Sequence, residues 1–249
     1  MKEYSGVMVF AEQKNKELHK VSYELLGKAR ELADQVDEEV YCCVCGSSEL
    51  DTDELIYRGA DKIFHVEDET LFESPEVMTY VKNLVKVIDE KKPEICLFGA
   101  TSFGRSIAPR VAAALQCGLT ADCTGLEIDS DDKRLVQIRP AFSENILAHI
   151  KSQHLPQMAT VRYKEFNEAR RDDSRTGETI KFDPVYIENN PIEIIEEITE
   201  EEFNITDARI VVAAGKGLKS PEDMKLIEAL AEALGGVVGS SRPLVEDGF

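Results

Sequence analysis

The sequence lacks the features that place a chain in several common classes. No apolar run approaches the about 18 residues of a transmembrane helix, and residues 1–6 contain no apolar signal core. We therefore expect a cytoplasmic protein without a membrane span, unless a transit peptide has been removed. Basic residues are scarce, because 29 Lys and Arg against 48 Asp and Glu give a formal net charge of −19. This balance argues against a nucleic-acid surface, which would carry a basic patch.

Motifs for catalysis and metal binding are also missing. The four histidines are scattered, and neither H-E-x-x-H nor G-x-S-x-G occurs. Cys42 and Cys45 have C-x-x-C spacing, with Cys43 between them, but the sequence contains no second such pair to complete a zinc or iron–sulfur site. Because they lie in an apolar run, we interpret them as small core side chains of a protein with reduced thiols. From the residues alone, no catalytic constellation is visible.

The first half of the chain alternates strand and helix patterns. Short apolar runs predict buried strands, and apolar residues at three- and four-residue steps predict helices between them. The predicted strands are residues 6–10, 40–45, 63–66 and 95–98, and the main helices are residues 18–32 and 77–88. This alternation indicates an α/β fold with a Rossmann-like parallel sheet.

The middle of the chain has a different character. Short runs at residues 124–129, 135–139, 146–150 and 158–162 are separated by polar stretches. They are typical of antiparallel strands and hairpins added to the sheet. We predict a polar loop at 164–178, a further strand at 180–187 and a strand or short connector at 192–202. The N-terminal α/β domain is expected to span residues 1–204, and a second domain residues 205–249.

The turn after the fourth predicted strand is one candidate ligand site. Gly99-Ala-Thr-Ser-Phe-Gly-Arg105 follows a buried strand and opens a helix, where open α/β sheets bind ligands. Arg105 could meet an anion, and Thr101 and Ser102 could donate hydrogen bonds. The alternative is that Ser102 only caps the helix and Arg105 is solvated. Neither G-x-G-x-x-G nor a P-loop motif supports the ligand site.

A second candidate lies near the end of the chain. The apolar run 210–214 stops at Gly215-Lys216-Gly217, and a helical pattern then runs to Gly235 before a second apolar run. This order predicts strand, glycine turn, helix and strand, a unit that can direct backbone N–H groups toward a phosphate.

Several longer segments, in the same order along the chain, resemble the α subunit of electron transfer flavoprotein. They are Gly99-Ala-Thr-Ser-Phe-Gly-Arg105 and the helix after it, residues 118–124, Gln137-Ile-Arg-Pro-Ala-Phe142, residues 156–162, Val211-Val-Ala-Ala-Gly-Lys-Gly-Leu-Lys-Ser220 and Gly239-Ser-Ser-Arg242. The resemblance covers the whole chain.

The resemblance implies an electron carrier rather than an enzyme. Its partner is a homologous β subunit, and FAD passes electrons between a flavin dehydrogenase, such as an acyl-CoA dehydrogenase, and an acceptor. The β subunit holds AMP or a second FAD, and the second FAD permits electron bifurcation from NADH. Residues 205–249 are expected to form the first part of a flavodoxin- or Rossmann-like FAD-binding domain.

The resemblance also implies the cofactor-binding residues. The family's Gly-Arg-Gly turn corresponds to Gly215, Lys216 and Gly217, where lysine keeps the charge but lacks the planar guanidinium. The family's Ser-Arg pair corresponds to Ser241 and Arg242, and the arginine lies near the isoalloxazine ring, where a cation raises the flavin's reduction potential.

The family's sequence continues beyond the length of this chain. We therefore expect the FAD site to be incomplete in these 249 residues, and residues after about 205 to pack thinly, because two strands make a weak sheet. An alternative is a nucleotide-binding α/β scaffold or interaction subunit without its own redox cofactor.

Overall fold

The chain divides into two compact units, residues 1–193 and 194–249. The structure is a computed structural model that describes residues 3–141, 143–188 and 208–248, together with residues 192, 195 and 205. The predicted connector at 192–202 and the boundary predicted between residues 204 and 205 lie almost wholly outside the described residues, so both stay predictions.

Twelve strands and four helices are described in the N-terminal unit. The strands are β1 Val7–Ala11, β2 Gln13–Lys14, β3 Glu17–Leu18, β4 Val40–Gly46, β5 Lys62–Glu67, β6 Ile95–Gly99, β7 Leu119–Cys123, β8 Gly125–Ile128, β9 Leu135–Ala141, β10 Ser143–Ile150, β11 Gln157–Val161 and β12 Glu178–Phe182. The helices are α1 Val21–Val36, α2 Asp53–Tyr57, α3 Val77–Lys91 and α4 Ser102–Leu115.

A seven-stranded sheet in the order β12-β5-β4-β1-β6-β11-β7 forms the centre of this unit. All its pairs are parallel. Successive residues of β1 point to opposite faces, so Val7 and Val9 enter one core cluster while Met8 and Phe10 enter the other. Burial on both faces explains why these strands are continuous apolar runs. The parallel α/β fold predicted from the sequence is confirmed.

Two of the predicted strands differ from the structure. Residues 158–162 were expected in an antiparallel hairpin, but β11 lies parallel between β6 and β7. Its residues are all buried, as in the other central strands. The strand predicted at 180–187 is β12, a parallel edge strand beside β5 that ends before Pro184, because proline cannot donate to a sheet ladder.

The added antiparallel strands form a separate sheet, in the order β10-β9-β8. Ile150 pairs with Gln137 at one end of the β10–β9 ladder, and an irregularity follows between Ser143 and Leu147. Ile146, Leu147 and Ile150 are exposed large apolar side chains on the outer strand, β10. The prediction of antiparallel strands beside a parallel sheet is therefore confirmed.

The C-terminal unit is much smaller. Its described elements are β13 Val211–Ala214, a 3₁₀ turn Pro221–Asp223, α5 Met224–Leu234, β14 Val237–Ser240 and α6 Arg242–Glu246. Gly235 ends α5 in the left-handed conformation, with φ of 62°. Among residues 208–248 the buried apolar side chains are Ala214, Ala231 and Leu244, whereas Leu226 is 75% exposed. The described part of this unit therefore packs thinly.

Candidate functional site

The candidate site lies at the edge of the sheet in the C-terminal unit. β13 and β14 are parallel, with Ala214 opposite Ser240, and the Ser241 backbone N–H donates to the Ala214 carbonyl at 2.9 Å. The carboxyl ends of parallel strands meet at one edge, which is where open α/β sheets bind ligands. The glycine turn after β13 and the Ser-Arg pair after β14 therefore leave the sheet side by side.

The glycine turn is open to an approaching group. The Leu218 N–H donates to the Gly215 carbonyl at 3.2 Å and closes the turn. A Cβ atom added at Gly215 or Gly217 would meet no atom within 4 Å. Packing inside the protein therefore does not explain why glycine occurs at either position. The missing side chains leave room for a ligand to approach the backbone.

The far end of the turn is held by one carboxylate. Asp223 accepts hydrogen bonds from the backbone N–H groups of Lys219 and Ser220, each at 3.0 Å. This contact anchors the backbone just before the 3₁₀ turn and α5, in the manner of a capping box. The glycine turn thus lies between two fixed points, the end of β13 and the start of the helical segment.

The two predicted cations form surface ion pairs. Lys216 Nζ lies 3.1 Å from Asp247 Oδ2, and Arg242 Nε lies 2.7 Å from Glu246 Oε1. The Lys216–Asp247 pair joins the glycine turn to the end of α6. The Arg242 side chain is 87% exposed. Exposed pairs of this kind contribute little to stability, so a ligand phosphate could replace the carboxylates at small cost.

Ser241 carries an unsatisfied polar group. Its hydroxyl oxygen is buried and has no hydrogen-bond partner among the described residues. The residue stands just before α6, yet its side chain does not cap that helix. Buried hydroxyl groups are normally paired, so a polar ligand at this edge would meet an oxygen that lacks a partner. Together with the open glycine turn, this hydroxyl fits a phosphate-bearing cofactor.

The other candidate turn, residues 99–105, is occupied by internal contacts. Thr101, not Ser102, caps α4, because its hydroxyl accepts the Gly104 N–H at 2.9 Å. Arg105 Nε donates to Asp122 at 3.0 Å. The alternative in which Ser102 caps the helix is therefore wrong, and in this structure Arg105 is paired with a carboxylate.

Sequence reasoning missed Glu12, which follows β1 and reaches this turn. Its Oε2 accepts the Thr101 hydroxyl at 2.7 Å, and its Oε1 is buried with no hydrogen-bond partner in the part of the chain that the structure describes. Burial raises the pKa of this carboxyl to about 7, although the Thr101 hydrogen bond acts in the opposite direction. The only signal in the sequence is an acidic residue directly after an apolar strand.

One histidine and several cysteines are buried in the core of the N-terminal unit. His65 is buried, its Nε2 lies 3.2 Å from the Gly46 carbonyl, and burial lowers the pKa of its ring. Cys42, Cys45 and Cys96 are buried thiols whose pKa is raised by burial. Across the residues that the structure describes, no group of three or more His, Cys, Asp or Glu could hold a metal ion. None of the helices described is long and apolar enough to cross a membrane.

Comparison with known proteins gives matches along both units. The family described as "Electron transfer flavoprotein domain" matches residues 7–185, and "Electron transfer flavoprotein FAD-binding domain" matches residues 204–249. The chain is 42% identical to the electron transfer flavoprotein subunit alpha of Thermoanaerobacterium thermosaccharolyticum, over 100% of this chain and 76% of that protein.

Two further relatives also match almost the whole of this chain. The electron transfer flavoprotein subunit alpha of Megasphaera elsdenii is 40% identical over 99% of this chain and 75% of its own length. The lactate dehydrogenase (NAD(+),ferredoxin) subunit LctC of Acetobacterium woodii is 39% identical over 99% of this chain and 59% of its own length.

Proposed function

Because the chain belongs to the electron transfer flavoprotein α-subunit family, we propose that it carries electrons by means of FAD held at the edge formed by residues 215–217 and 241–242. The match to an FAD-binding domain over residues 204–249 supports this assignment. The observation that carries it is the buried Ser241 hydroxyl, which has no hydrogen-bond partner among the described residues, beside a glycine turn with open space above both glycines.

Each of the five residues has a part in holding the cofactor. Gly215 and Gly217 let the ligand approach the backbone, since no side chain blocks them. Lys216 would supply a positive charge for the diphosphate in place of its ion pair with Asp247, and the Ser241 hydroxyl would gain a hydrogen bond. Arg242 would supply the cation beside the flavin. Bound FAD accepts and releases the electrons.

On this proposal, the chain is an electron carrier subunit and not an enzyme. Its partners are a homologous β subunit, which holds AMP or a second FAD, and a flavin dehydrogenase such as an acyl-CoA dehydrogenase. The relative in Acetobacterium woodii is named as a subunit of a lactate dehydrogenase that uses NAD⁺ and ferredoxin. This name supports an NADH-linked, electron-bifurcating complex as the setting of the chain.

Flavin titration tests the site. The chain is purified with its β subunit, stripped of flavin and titrated with FAD, and the dissociation constant is read from the flavin absorbance. K216Q and S241A are expected to weaken binding about tenfold, the loss of roughly one hydrogen bond to a charged group. K225Q is the matched control, because Lys225 is an exposed lysine of α5 outside the turn, and it is expected to leave the constant unchanged.

Two outcomes would contradict the proposal. A complex that takes up no FAD on this subunit would favour the scaffold or interaction subunit without its own redox cofactor. Equal FAD affinities of K216Q and K225Q would show that Lys216 does not contribute to FAD binding.

A further inference from the structure

A cavity rich in arginine lies in the N-terminal unit, between α1, the end of α2 and residues 169–175. Its volume is about 560 Å³, and five of its nine lining residues are arginines. The arginines are Arg30, Arg58, Arg170, Arg171 and Arg175, and Asp172 is the one carboxylate among the described lining residues. This concentration of positive charge stands out in a chain whose formal net charge is −19.

Two carboxylates outside the lining hold four of the guanidinium groups. Glu54 accepts from Arg58 Nε at 2.8 Å and from Arg171 Nε at 2.6 Å.

Asp61 accepts hydrogen bonds from the other two guanidinium groups. It accepts from Arg30 at 2.6 Å and from Arg175 at 3.0 Å. Glu54 and Asp61 supply two negative charges for these four guanidinium groups, and further carboxylates around the cavity complete the charge balance.

The other carboxylates near these arginines lie toward solvent. Asp34, Glu168 and Asp173 approach Arg30, Arg58 and Arg171, and their side chains are 66%, 44% and 74% exposed. Ion pairs with exposed carboxylates are screened by salt and are weak. A multiply charged anion inside the cavity could therefore compete with them for the guanidinium groups.

Two of the guanidinium groups lie over aromatic rings. Arg58 lies over the Tyr23 ring at 4.4 Å from its centroid, and Arg171 lies over the Tyr57 ring at 4.8 Å. The Nε of Arg175 is buried and has no hydrogen-bond acceptor among the described residues. A buried N–H group without an acceptor is costly, and an incoming oxygen would relieve that cost.

We propose that this cavity binds a small ligand that carries a phosphate or diphosphate group. The planar guanidinium fork matches phosphate oxygens with two parallel hydrogen bonds. The volume falls in the range of about 300 to 1,000 Å³ that small-molecule sites occupy. The wall of the cavity favours glycine at position 27. A Cβ atom there would lie 3.1 Å from the Ala169 backbone nitrogen and press on the segment that carries the arginines.

Calorimetric titration of the purified protein with inorganic pyrophosphate tests the site. We expect one pyrophosphate per chain with a dissociation constant below about 1 mM at low salt. R171Q and R170Q are each expected to weaken binding about tenfold. Arg170 is outside the pairs bridged by Glu54 and Asp61, so R170Q leaves that network intact. R110Q, an exposed arginine of α4, is the matched control and is expected to bind as the wild type does.

The same titration separates the alternatives. ADP binding more tightly than pyrophosphate through the same arginines would assign the site to a nucleotide, and the reverse order would assign it to a free diphosphate. An ion-pair network that only fastens residues 169–175 predicts no binding up to about 10 mM pyrophosphate, and that result would overturn the proposal. The proposal would also be overturned if R110Q and R171Q lost the same affinity for pyrophosphate, or if K216Q alone lost affinity.

Discussion

Glu12 fills the space at the end of β1 where a doubly wound sheet has its crevice. Its side chain is almost fully buried, and Cβ atoms added at Gly99 and Gly104 would lie 2.8 and 2.9 Å from its Oε1. The carboxylate thus lies between the end of β6 and the first turn of α4, tied to both through Thr101. The crevice of the N-terminal unit is therefore closed by the protein's own acidic side chain.

The ionisation of Glu12 makes stability depend on pH. Burial raises the pKa of its carboxyl from the ordinary value of 4.5 to about 7. A raised carboxyl pKa favours the folded state while the group is protonated, and this contribution is lost as pH rises from about 4.5 to about 7. E12Q stays neutral, so we expect its unfolding free energy relative to wild type to increase by about 2 kcal/mol between about pH 5 and about pH 8.

Urea unfolding of both proteins at the two pH values gives this difference. A difference between E12Q and wild type that does not change with pH would contradict the assignment of an ionisable, buried Glu12.

The sequence could suggest the five residues proposed to bind the cofactor but not Glu12. Lys216 and Arg242 belong to motifs that match a family in order, so each position carries information beyond its own chemistry. Glu12 and its partner Thr101 are 89 positions apart in the chain. Its burial and its closeness to Gly104 depend on the packing of α4 against the sheet, which no local pattern records.

At the scale of an element, the start of α4 depends on one hydroxyl. Thr101 has an extended backbone, with ψ of 171°, and its Oγ1 accepts the Gly104 N–H while it donates to Glu12. Ser102 is already inside the helix and exposed. Both residue types are good N-caps, so the sequence cannot choose between the two registers. Packing of Gly104 against the Gly99 carbonyl decides the choice, because a Cβ atom at Gly104 would lie 2.0 Å from that oxygen.

The two hydroxyls should therefore differ in their effect on stability. T101A removes the cap and the donor to Glu12, and we expect it to lower the unfolding free energy by about 1 to 2 kcal/mol. S102A is the matched control, and its effect is expected to stay within about 0.5 kcal/mol. Chemical denaturation of the two variants measures both values. A larger loss in S102A than in T101A would mean that the helix starts one residue later than in the structure.

The central strands show which features of a strand an apolar run predicts and which it does not. β1, β4, β5 and β6 were predicted because apolar residues run through them and helices separate them. β11 has the same apolar character, but its parallel direction follows from where the preceding antiparallel sheet returns the chain. β7 was not predicted, because Thr120 and Asp122 interrupt its apolar pattern. The buried Thr120 hydroxyl donates a hydrogen bond to Gln137.

On the scale of the whole molecule, charge and packing are unevenly distributed. The chain is strongly acidic, yet five arginines share one cavity of the N-terminal unit. Composition gives only the sum of these charges, so neither the cavity nor its proposed ligand could be predicted from it. Two large core clusters fill both faces of the central sheet, whereas the described C-terminal residues bury few apolar side chains. The cytoplasmic location expected from the sequence stays a prediction.

The measurement that tests the central claim most directly is hydrogen exchange of the complex with its β subunit, with and without FAD. The FAD site proposed at residues 215–217 and 241–242 predicts slower exchange of the amides in those two segments when FAD is bound, and no change at residues 99–105. Protection confined to residues 99–105, or no protection in the C-terminal unit, would contradict the claim that this sheet edge holds the flavin.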